Sequence, residues 1–573
     1  MILVIMSWLW IGTASFLLGF GALAGMGKIT GEDRFKSVEM YILMGLLCLT
    51  VYSQIFSLAA GVGAAATFGV GIMCVAAAVL LRTRLKQYFK YLYTHILQRK
   101  GTLLLIPLVL LLLLLTVYLT AGYTWHYDTD LYHAQAIRWI EEYGVVKGLG
   151  NLHNRFAYNS SFFCLQALFS MKFITNQSLH TMNGFITFLM LSYALCTLSI
   201  WKRKIVKTSD FLKAGLFLYF GYLESPLVVS SPGSDLPTLC MVLYISAKWA
   251  ELVEQNEKTP APYGILCLFA AWTVTMKLSA APPVLLALYP AALLVRRKNW
   301  KQLLFFLLAG TGIVIPFLIR NVIISGYLVY PYSAVDLFNV DWKMAASLAA
   351  DDSREIMAWG RGLTERSLYG AGFRIWFPRW YRNLVGWGKA LFLVNIASMV
   401  ISAVYLVRAV FRKGETHWAS LLLLLVSMVQ AVMWFVTAPL IRYGLAYMLL
   451  TPLFLLGLVC RKTPRGIPSW VICAACIYCG ISCMLHVATD FTEPFWKRPA
   501  DYNWKECSVV KWENMDVYVP VSGDCGGYHF FPGTPNSARL EYIELRTGKT
   551  GDGFRLKAAY REKQFISSGT TVE

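Results

Sequence analysis

A dense cluster of ionisable residues follows a long apolar run in the first quarter of the chain. It reads HYDTDLYHAQAIRWIEEYG and holds Asp128 and Asp130 one residue apart, with His133 shortly after them. Carboxylates at this spacing can take a proton from a hydroxyl group or bind a divalent cation. Mg²⁺ or Mn²⁺ on Asp128, Asp130 and His133 is compatible with the sequence, which does not require a metal. Asp130 equally fits a helix N-cap, and Glu141 and Glu142 fit a solvated helix face.

Further ionisable and polar residues interrupt or end apolar segments later in the chain. The predicted substrate-binding residues, besides His133, are His153, Arg155, Glu224, Asp235 and Asn321, and the predicted phosphate-binding residues are Lys277, Arg320 and Arg442. Ionisable groups in or beside membrane spans are costly and tend to be functional. Lys277, Arg320 and Arg442 also fit side chains that reach lipid phosphates. His133 also fits the wet face of a helix, His153 and Arg155 fit structural roles in a turn, and Glu224 fits a hydrogen bond to a neighbouring helix. Together they predict a site in which carboxylates face cations.

Apolar segments must position these residues. Of the 573 residues 57% are hydrophobic and 15% are charged, whereas soluble domains have about 25% charged residues. Continuous runs such as residues 103–121 can cross a hydrocarbon core of about 30 Å as helices. The sequence therefore predicts an all-α polytopic membrane protein with about 14 transmembrane helices. Their approximate bounds are 2–25, 39–59, 62–81, 102–121, 178–200, 210–229, 236–253, 263–277, 280–295, 302–324, 386–408, 418–438, 443–460 and 467–486.

The net charge of +20 follows a membrane pattern. Lys and Arg cluster in short loops such as RTRLKQYFK, WKRKIVK, RRKNWK and RKTPRG, which alternate with loops nearly free of them. This is the positive-inside pattern, and it argues against a nucleic-acid partner. The first charged residue, Lys28, follows the first apolar segment, unlike the charged start of a cleavable signal peptide. We expect a multi-pass protein of the cytoplasmic membrane, in contact with membrane lipids, whose C-terminus lies on the periplasmic or extracellular side.

The same alternation divides the chain into four parts. Residues 1–121 are N-terminal transmembrane helices, 122–177 a first large outer loop, 178–486 a transmembrane core with a second outer loop at 325–385, and 487–573 a small, mostly β, outer-face cap. Strand-like stretches in the cap are MDVYVPV and LEYIELR.

Three shorter segments carry predictions of their own. We expect 131–143 to be an amphipathic helix along the membrane surface, 160–173 a surface-lying or partly inserted helix, and 374–382 a headgroup-level element. Cys507 and Cys525 of the cap fit either a disulfide on an oxidising face or two reduced thiols.

The stretch CAACIYCGISC spaces four cysteines like a bacterial ferredoxin motif. It lies within a continuous apolar segment at helical pitch, and Met484 stands where ferredoxins have proline. A helix would spread the first and last of these cysteines over about 15 Å, too far for one cluster. We interpret them as small apolar residues of a buried helix.

The arrangement around Asp128 and Asp130 resembles the GT-C superfamily of membrane glycosyltransferases. The resemblance implies an acidic first outer loop, a catalytic aspartate soon after a span, and a polyprenyl-phosphate-linked sugar as donor to a glycan or lipid acceptor. In that superfamily the loop usually follows the first span, whereas several predicted spans precede it here, and in this the chain departs from the pattern. Over about residues 120–573 the chain also resembles an uncharacterised family of bacterial cell-envelope membrane proteins, in GLGNLHNRFAYNSS, SGYLVYP, WFVTAPLIRYG and GDCGGYHFFPGTP.

We therefore expect transfer of a sugar, with Asp130 or Asp128 acting on the acceptor hydroxyl and Lys277, Arg320 or Arg442 on the leaving phosphate. Three alternatives remain open at this point: a polysaccharide polymerase or ligase, a transporter of lipid-linked glycans or solutes, and a non-catalytic assembly scaffold. Transporters place ionic groups near mid-membrane, whereas the charges here gather at predicted outer helix ends.

Overall fold

The computed structural model describes residues 1–97, 105–198, 206–222, 227–411, 418–460, 466–489 and 496–561. Most of them are helical. The α-helices, numbered in chain order, are α1 Ile2–Thr30, α2 Val38–Ser57, α3 Ala64–Leu80, α4 Arg82–Leu97, α5 Ile106–Ala121, α6 Ala134–Tyr143, α7 Leu149–Leu152, α8 Ser161–Leu168, α9 Lys172–Thr175, α10 Met182–Thr197, α11 Thr208–Gly221, α12 Asp235–Glu254, α13 Pro260–Met276, α14 Leu288–Arg296, α15 Trp300–Ser325, α16 Ala346–Gly360, α17 Phe373–Asn383, α18 Gly386–Phe411, α19 Trp418–Thr437, α20 Ile441–Cys460, α21 Gly466–Thr489 and α22 Arg539–Tyr542. A π-helical turn spans Thr129–His133, and 3₁₀ turns span Asn154–Ala157, Leu278–Ala280, Pro282–Ala287, Arg366–Leu368, Thr550–Asp552 and Ala558–Tyr560.

Nine helical segments of the described residues are long and apolar enough to cross a membrane, and one bent pair would make ten. The prediction of a multi-pass helical membrane protein is thus confirmed, while the count of 14 spans stays a prediction. Several predicted spans correspond to shorter apolar helices, which are α5, α10 and α13, with 16, 16 and 17 residues. The predicted span at 62–81 corresponds to α3, which bends by 78° where α4 begins.

Helices α1 and α2 pack closely through small residues. A Cβ atom on Gly45 would lie 1.7 Å from the Ser15 carbonyl oxygen, and one on Gly19 would lie 1.8 Å from that of Tyr41. Only glycine at both positions allows the two backbones to touch, which is how many membrane helices associate.

Residues 122–177, 325–385 and 496–561 assemble into one structure at one end of the helices, here called the loop layer. Asn151 Nδ2 donates to the Trp342 carbonyl oxygen at 2.9 Å, which joins the first segment to the second. The Arg546 guanidinium pairs with Asp341 at 3.0 Å, which joins the second segment to the third. Gln135 Nε2 donates to the Phe530 carbonyl oxygen at 2.9 Å, which joins the first segment to the third.

Helices α6 and α8 of the loop layer, for which we predicted a surface-lying helix and a surface-lying or partly inserted helix, are both buried against protein. Trp139 of α6 is fully buried, with its ring centroid 4.7 Å from that of Phe531. Every residue of α8 is buried, against α2 and α6 among others. The apolar faces of these helices pack against protein that is distant in sequence, a partner that hydrophobic periodicity cannot reveal, and their place relative to the membrane surface stays a prediction.

The third segment of the loop layer, residues 496–561 (the cap), contains two antiparallel hairpins. Strand β1, Cys507–Trp512, pairs with β2, Met515–Pro520, and β3, Ile543–Leu545, pairs with β4, Phe554–Leu556. The predicted strand MDVYVPV is confirmed as β2, whereas LEYIELR begins in the short helix α22 and only then becomes β3.

The cysteines of the cap and of the ferredoxin-like motif are free thiols. Cys507 Sγ lies 3.8 Å from the Gly526 carbonyl oxygen, and Cys525 Sγ lies 4.0 Å from that of Tyr127. The four motif cysteines all lie on α21, as the helical interpretation predicted.

Candidate functional site

The site forms where Asp128 of the loop layer meets Arg442 of α20. Arg442 Nη2 donates to Asp128 Oδ2 at 3.1 Å, and Arg442 Nη1 is 2.8 Å from His126 Nε2. A guanidinium can only donate, so His126 Nε2 must be the acceptor and the imidazole proton must lie on Nδ1. The contact with Arg442 therefore fixes His126 as a neutral imidazole with a defined tautomer.

A second ion pair lies beside the first. Lys277, directly after α13, donates to Asp235, the first residue of α12. The Lys277 Nζ atom is 4.4 Å and the Arg442 Cζ atom 5.1 Å from the centroid of the Tyr443 ring. Tyr443 thus joins the two pairs. We call His126, Asp128, Asp235, Lys277, Arg442 and Tyr443 the central cluster.

The cluster is half-buried and balanced in charge. The charged side chains of both ion pairs are between 23% and 29% exposed, so each is reachable from solvent. Two carboxylates and two cations at helix ends, partly removed from water, interact more strongly than they would on an open surface. Such a site can hold an anionic group on its cations and a hydroxyl group on its carboxylates.

The protonation states of the loop residues follow from burial and these neighbours. Burial alone would raise the pKa of Asp128, but His133, His126 and Arg442 outweigh it and lower the pKa below the usual value. Burial lowers the pKa of His126, with a contribution from Arg442 in the same direction. Burial also lowers the pKa of His133 to about 3. At neutral pH Asp128 is therefore ionised, and both imidazoles are neutral.

Several buried polar atoms here have no hydrogen-bond partner among the described residues. They are Nδ1 of His126, Nδ1 of His133 and Oδ1 of Asp130. Buried polar atoms are nearly always paired in folded proteins, and exceptions tend to lie where a ligand or water binds. The Nδ1–H group of His126 is thus an unpaired donor on the side of the ring away from Arg442.

Asp130 faces away from the central cluster. Its Oδ2 atom pairs with Lys505 of the cap at 2.8 Å, and its backbone oxygen accepts from the Gly527 amide at 2.9 Å. The Asp130 side chain is 8% exposed and that of Lys505 is 34% exposed. Asp130 thus lies in a π-helical turn and binds residues of the C-terminal cap. One interpretation of the sequence gave it only the role of a helix N-cap.

The two aspartates therefore do not converge on a common point. Within the parts of the chain that the structure describes, no group of three or more His, Cys, Asp or Glu side chains is arranged to hold a metal ion. This applies to Asp128, Asp130 and His133, because Asp128 turns to Arg442 while Asp130 turns to Lys505.

Arg320 and Asn321, on α15, lie in a separate polar group. The Arg320 side chain is 1% exposed; its Nε donates to Asn159 Oδ1 at 3.1 Å, and its Nη1 donates to Ser57 Oγ. Asn159 also donates to Asn321 Oδ1 at 3.1 Å. The structure thus brings Lys277 and Arg442 together in the central cluster but gives Arg320 other partners.

The remaining predicted residues lie elsewhere in the loop layer or outside the described residues. Arg155 pairs with Glu355 of α16 at 3.4 Å. His153 is buried, and burial, followed by Arg539 and Arg155, lowers its pKa well below the usual value. Glu224 lies outside the described residues.

The contacts of two residues, Tyr443 and Glu141, were not predicted from the sequence. Tyr443 was not among the predicted site residues, although it directly follows Arg442 in the sequence. Glu141, predicted to be solvated, is 5% exposed and accepts from His180 Nε2 at 2.8 Å and from Tyr528 at 2.9 Å. His180 and Tyr528 lie far from Glu141 in sequence, so no local pattern indicated this burial.

Comparisons with known proteins give one match. Neither the curated proteins nor the solved structures compared with the chain include a match to it. A family model described as "Domain of unknown function (DUF8201)" matches residues 1–449. That range contains every residue of the central cluster, whereas Lys505 lies beyond it. Because the matched range covers well over half of the chain, the protein belongs to the DUF8201 family of domains of unknown function.

Proposed function

We propose that the protein is a membrane glycosyltransferase that moves a sugar from a polyprenyl-phosphate donor to a cell-envelope glycan or lipid acceptor. The observation that carries the proposal is the central cluster, in which Asp128 and Asp235 meet Lys277 and Arg442 at the ends of apolar helices. A polyprenyl-phosphate donor keeps its tail in the bilayer and its phosphate at the membrane surface, which is where the ends of membrane-spanning helices lie. The proposal includes a GT-C-like fold with about 14 spans.

Asp128 is the proposed group that acts on the acceptor. Its low pKa keeps it ionised, so it accepts a hydrogen bond from the acceptor hydroxyl and orients it. As the hydroxyl oxygen forms its bond to the anomeric carbon, the hydroxyl becomes acidic and its proton passes to Asp128. The bond between the anomeric carbon and the phosphate oxygen breaks, and the electron pair leaves with the polyprenyl phosphate.

Lys277 and Arg442 are the proposed partners of the leaving phosphate. Each is held at a helix end by a carboxylate and lies beside the Tyr443 ring, so the cations are positioned before the donor arrives. Positioned cations stabilise the charge that develops on the leaving oxygens without first having to reorganise.

The basic loops support an orientation with the loop layer on the outer face of the cytoplasmic membrane. In this orientation the C-terminal cap lies on the periplasmic or extracellular side. The donor would reach the central cluster from the bilayer, and the acceptor would reach it from the aqueous side.

The test is transfer by the purified protein in lipid nanodiscs, with labelled polyprenyl-phosphate sugars and an envelope extract as acceptor. We expect a labelled glycan or glycolipid from the wild type and at least about 100-fold less from Asp128→Asn, since general-base catalysis contributes that much or more. Asp516→Asn, at an exposed position on β2, is the matched control and should keep full activity.

Other results would contradict the proposal. Full activity of Asp128→Asn would refute the role of this carboxylate. Movement of the labelled lipid across a sealed vesicle without any new product would support a transporter instead. A product that joins two lipid-linked chains, rather than adding one sugar, would support a polymerase or ligase.

A further inference from the structure

A second half-buried group lies in the loop layer beside the central cluster. It consists of Tyr132, Arg155, Tyr158 and Glu355, all partly exposed among buried neighbours. Arg155 Nη2 donates to Glu355 Oε1 at 3.4 Å, and the two side chains are 23% and 18% exposed. A long, partly exposed contact of this kind leaves guanidinium N–H groups and a carboxylate oxygen free for a ligand.

Tyr132 connects the second group to the histidine that follows it in the chain. Its ring centroid is 4.3 Å from that of His133 and 5.9 Å from that of Tyr158. The His133 ring is stacked on that of His126, with centroids 5.9 Å apart. A series of aromatic rings therefore connects the second group to His126 of the central cluster.

A buried carboxylate keeps the second group in place. Asp352, fully buried on α16, accepts from Asn154 Nδ2 at 2.8 Å, from Tyr158 at 2.5 Å and from Tyr330 at 2.9 Å. Asp352 and Glu355 are three residues apart on one helix and share a face. Asp352 thus holds α16 so that Glu355 meets Arg155, which directly follows Asn154.

We propose that Tyr132, Arg155 and Glu355 form the acceptor subsite and that it binds an uncharged sugar. The inference rests on the proposed function. Arg155 and Glu355 together have no net charge, so they do not favour an anionic ligand. Their N–H groups and carboxylate oxygens can instead form hydrogen bonds with sugar hydroxyl groups. Tyr132 offers a flat apolar surface to the sugar ring, next to Asp128.

Binding of fluorescently labelled trisaccharides of glucose, galactose and mannose tests the subsite without the donor. We expect at least one of them to bind the wild type in nanodiscs, and Arg155→Met and Glu355→Gln to weaken its Kd at least tenfold. Arg354→Gln, a change at the exposed neighbouring position of α16, is the control and should stay within twofold. Unchanged melting temperatures of the variants separate a lost contact from a lost fold.

Three results would overturn the subsite. The first is that no trisaccharide binds the wild type, and the second is that both variants bind as tightly as the wild type. The third is that trisaccharides with a uronic acid bind the wild type ten times more tightly than the uncharged ones. The acceptor KM in the transfer assay should rise in both variants while the donor KM stays within twofold. Trisaccharide binding that both variants weaken, without any transfer by the wild type, would overturn the proposed function and leave the subsite standing.

Discussion

Acidification tests whether His133 is held as a neutral imidazole inside the loop layer. The side chain is 5% exposed, and burial lowers its pKa to about 3, against about 6.5 in an unfolded chain. Between these values the unfolded state binds a proton that the folded state does not, so stability falls as pH falls below about 6.5. Because pH 5 lies about 1.5 units below the pKa of the unfolded state, this one histidine lowers the free energy of unfolding there by about 2 kcal/mol.

The assay is urea unfolding in detergent micelles at pH 7.5, 6 and 5, followed by tryptophan fluorescence. His126 and His153 also have lowered pKa values and act in the same direction, so the variant His133→Gln isolates one site. Between pH 6.5 and 5, the free energy of unfolding of the variant should fall by about 1.4 kcal/mol per pH unit less than that of the wild type. Asp128 does not interfere, because its lowered pKa confines its effect to pH below about 4. A variant with the same pH dependence as the wild type would refute the burial of a neutral His133.

Three further substitutions test contacts that hold the site. Gly45→Ala should destabilise the protein by about 1–3 kcal/mol, seen as a lower melting temperature, because its Cβ would strike the Ser15 carbonyl oxygen. Asp352→Ala leaves three donors unpaired, two of them buried, and should cost about 3–5 kcal/mol in urea titrations, whereas a loss under 1 kcal/mol would contradict the network. Lys505→Met should cost about 1–2 kcal/mol by leaving Asp130 without its cation, and adding Asp130→Asn should restore most of that stability if the pair is as described.

The sequence contained enough to predict the class of protein and part of the site. Lys277, Asp235 and Arg442 stand out because each is an ionisable residue at the end of an apolar segment, and the structure brings all three together. The pairing of Asp130 with Lys505 could not be predicted, because the partners are hundreds of residues apart and no periodicity links them. The same holds for the burial of α6 and α8, whose apolar faces indicate burial but not the surface that covers them.

The attachment of the cap to the first loop has a consequence for biosynthesis. Gln135 and Phe530, which join these segments, are 395 residues apart in the chain. At about 5–20 residues per second, a ribosome needs roughly 20–80 s between making the two. For that interval Asp130 is already made while its lysine partner is not. The nascent chain therefore inserts its earlier helices with an incomplete loop layer, and synthesis of the cap determines when the first loop is locked in place.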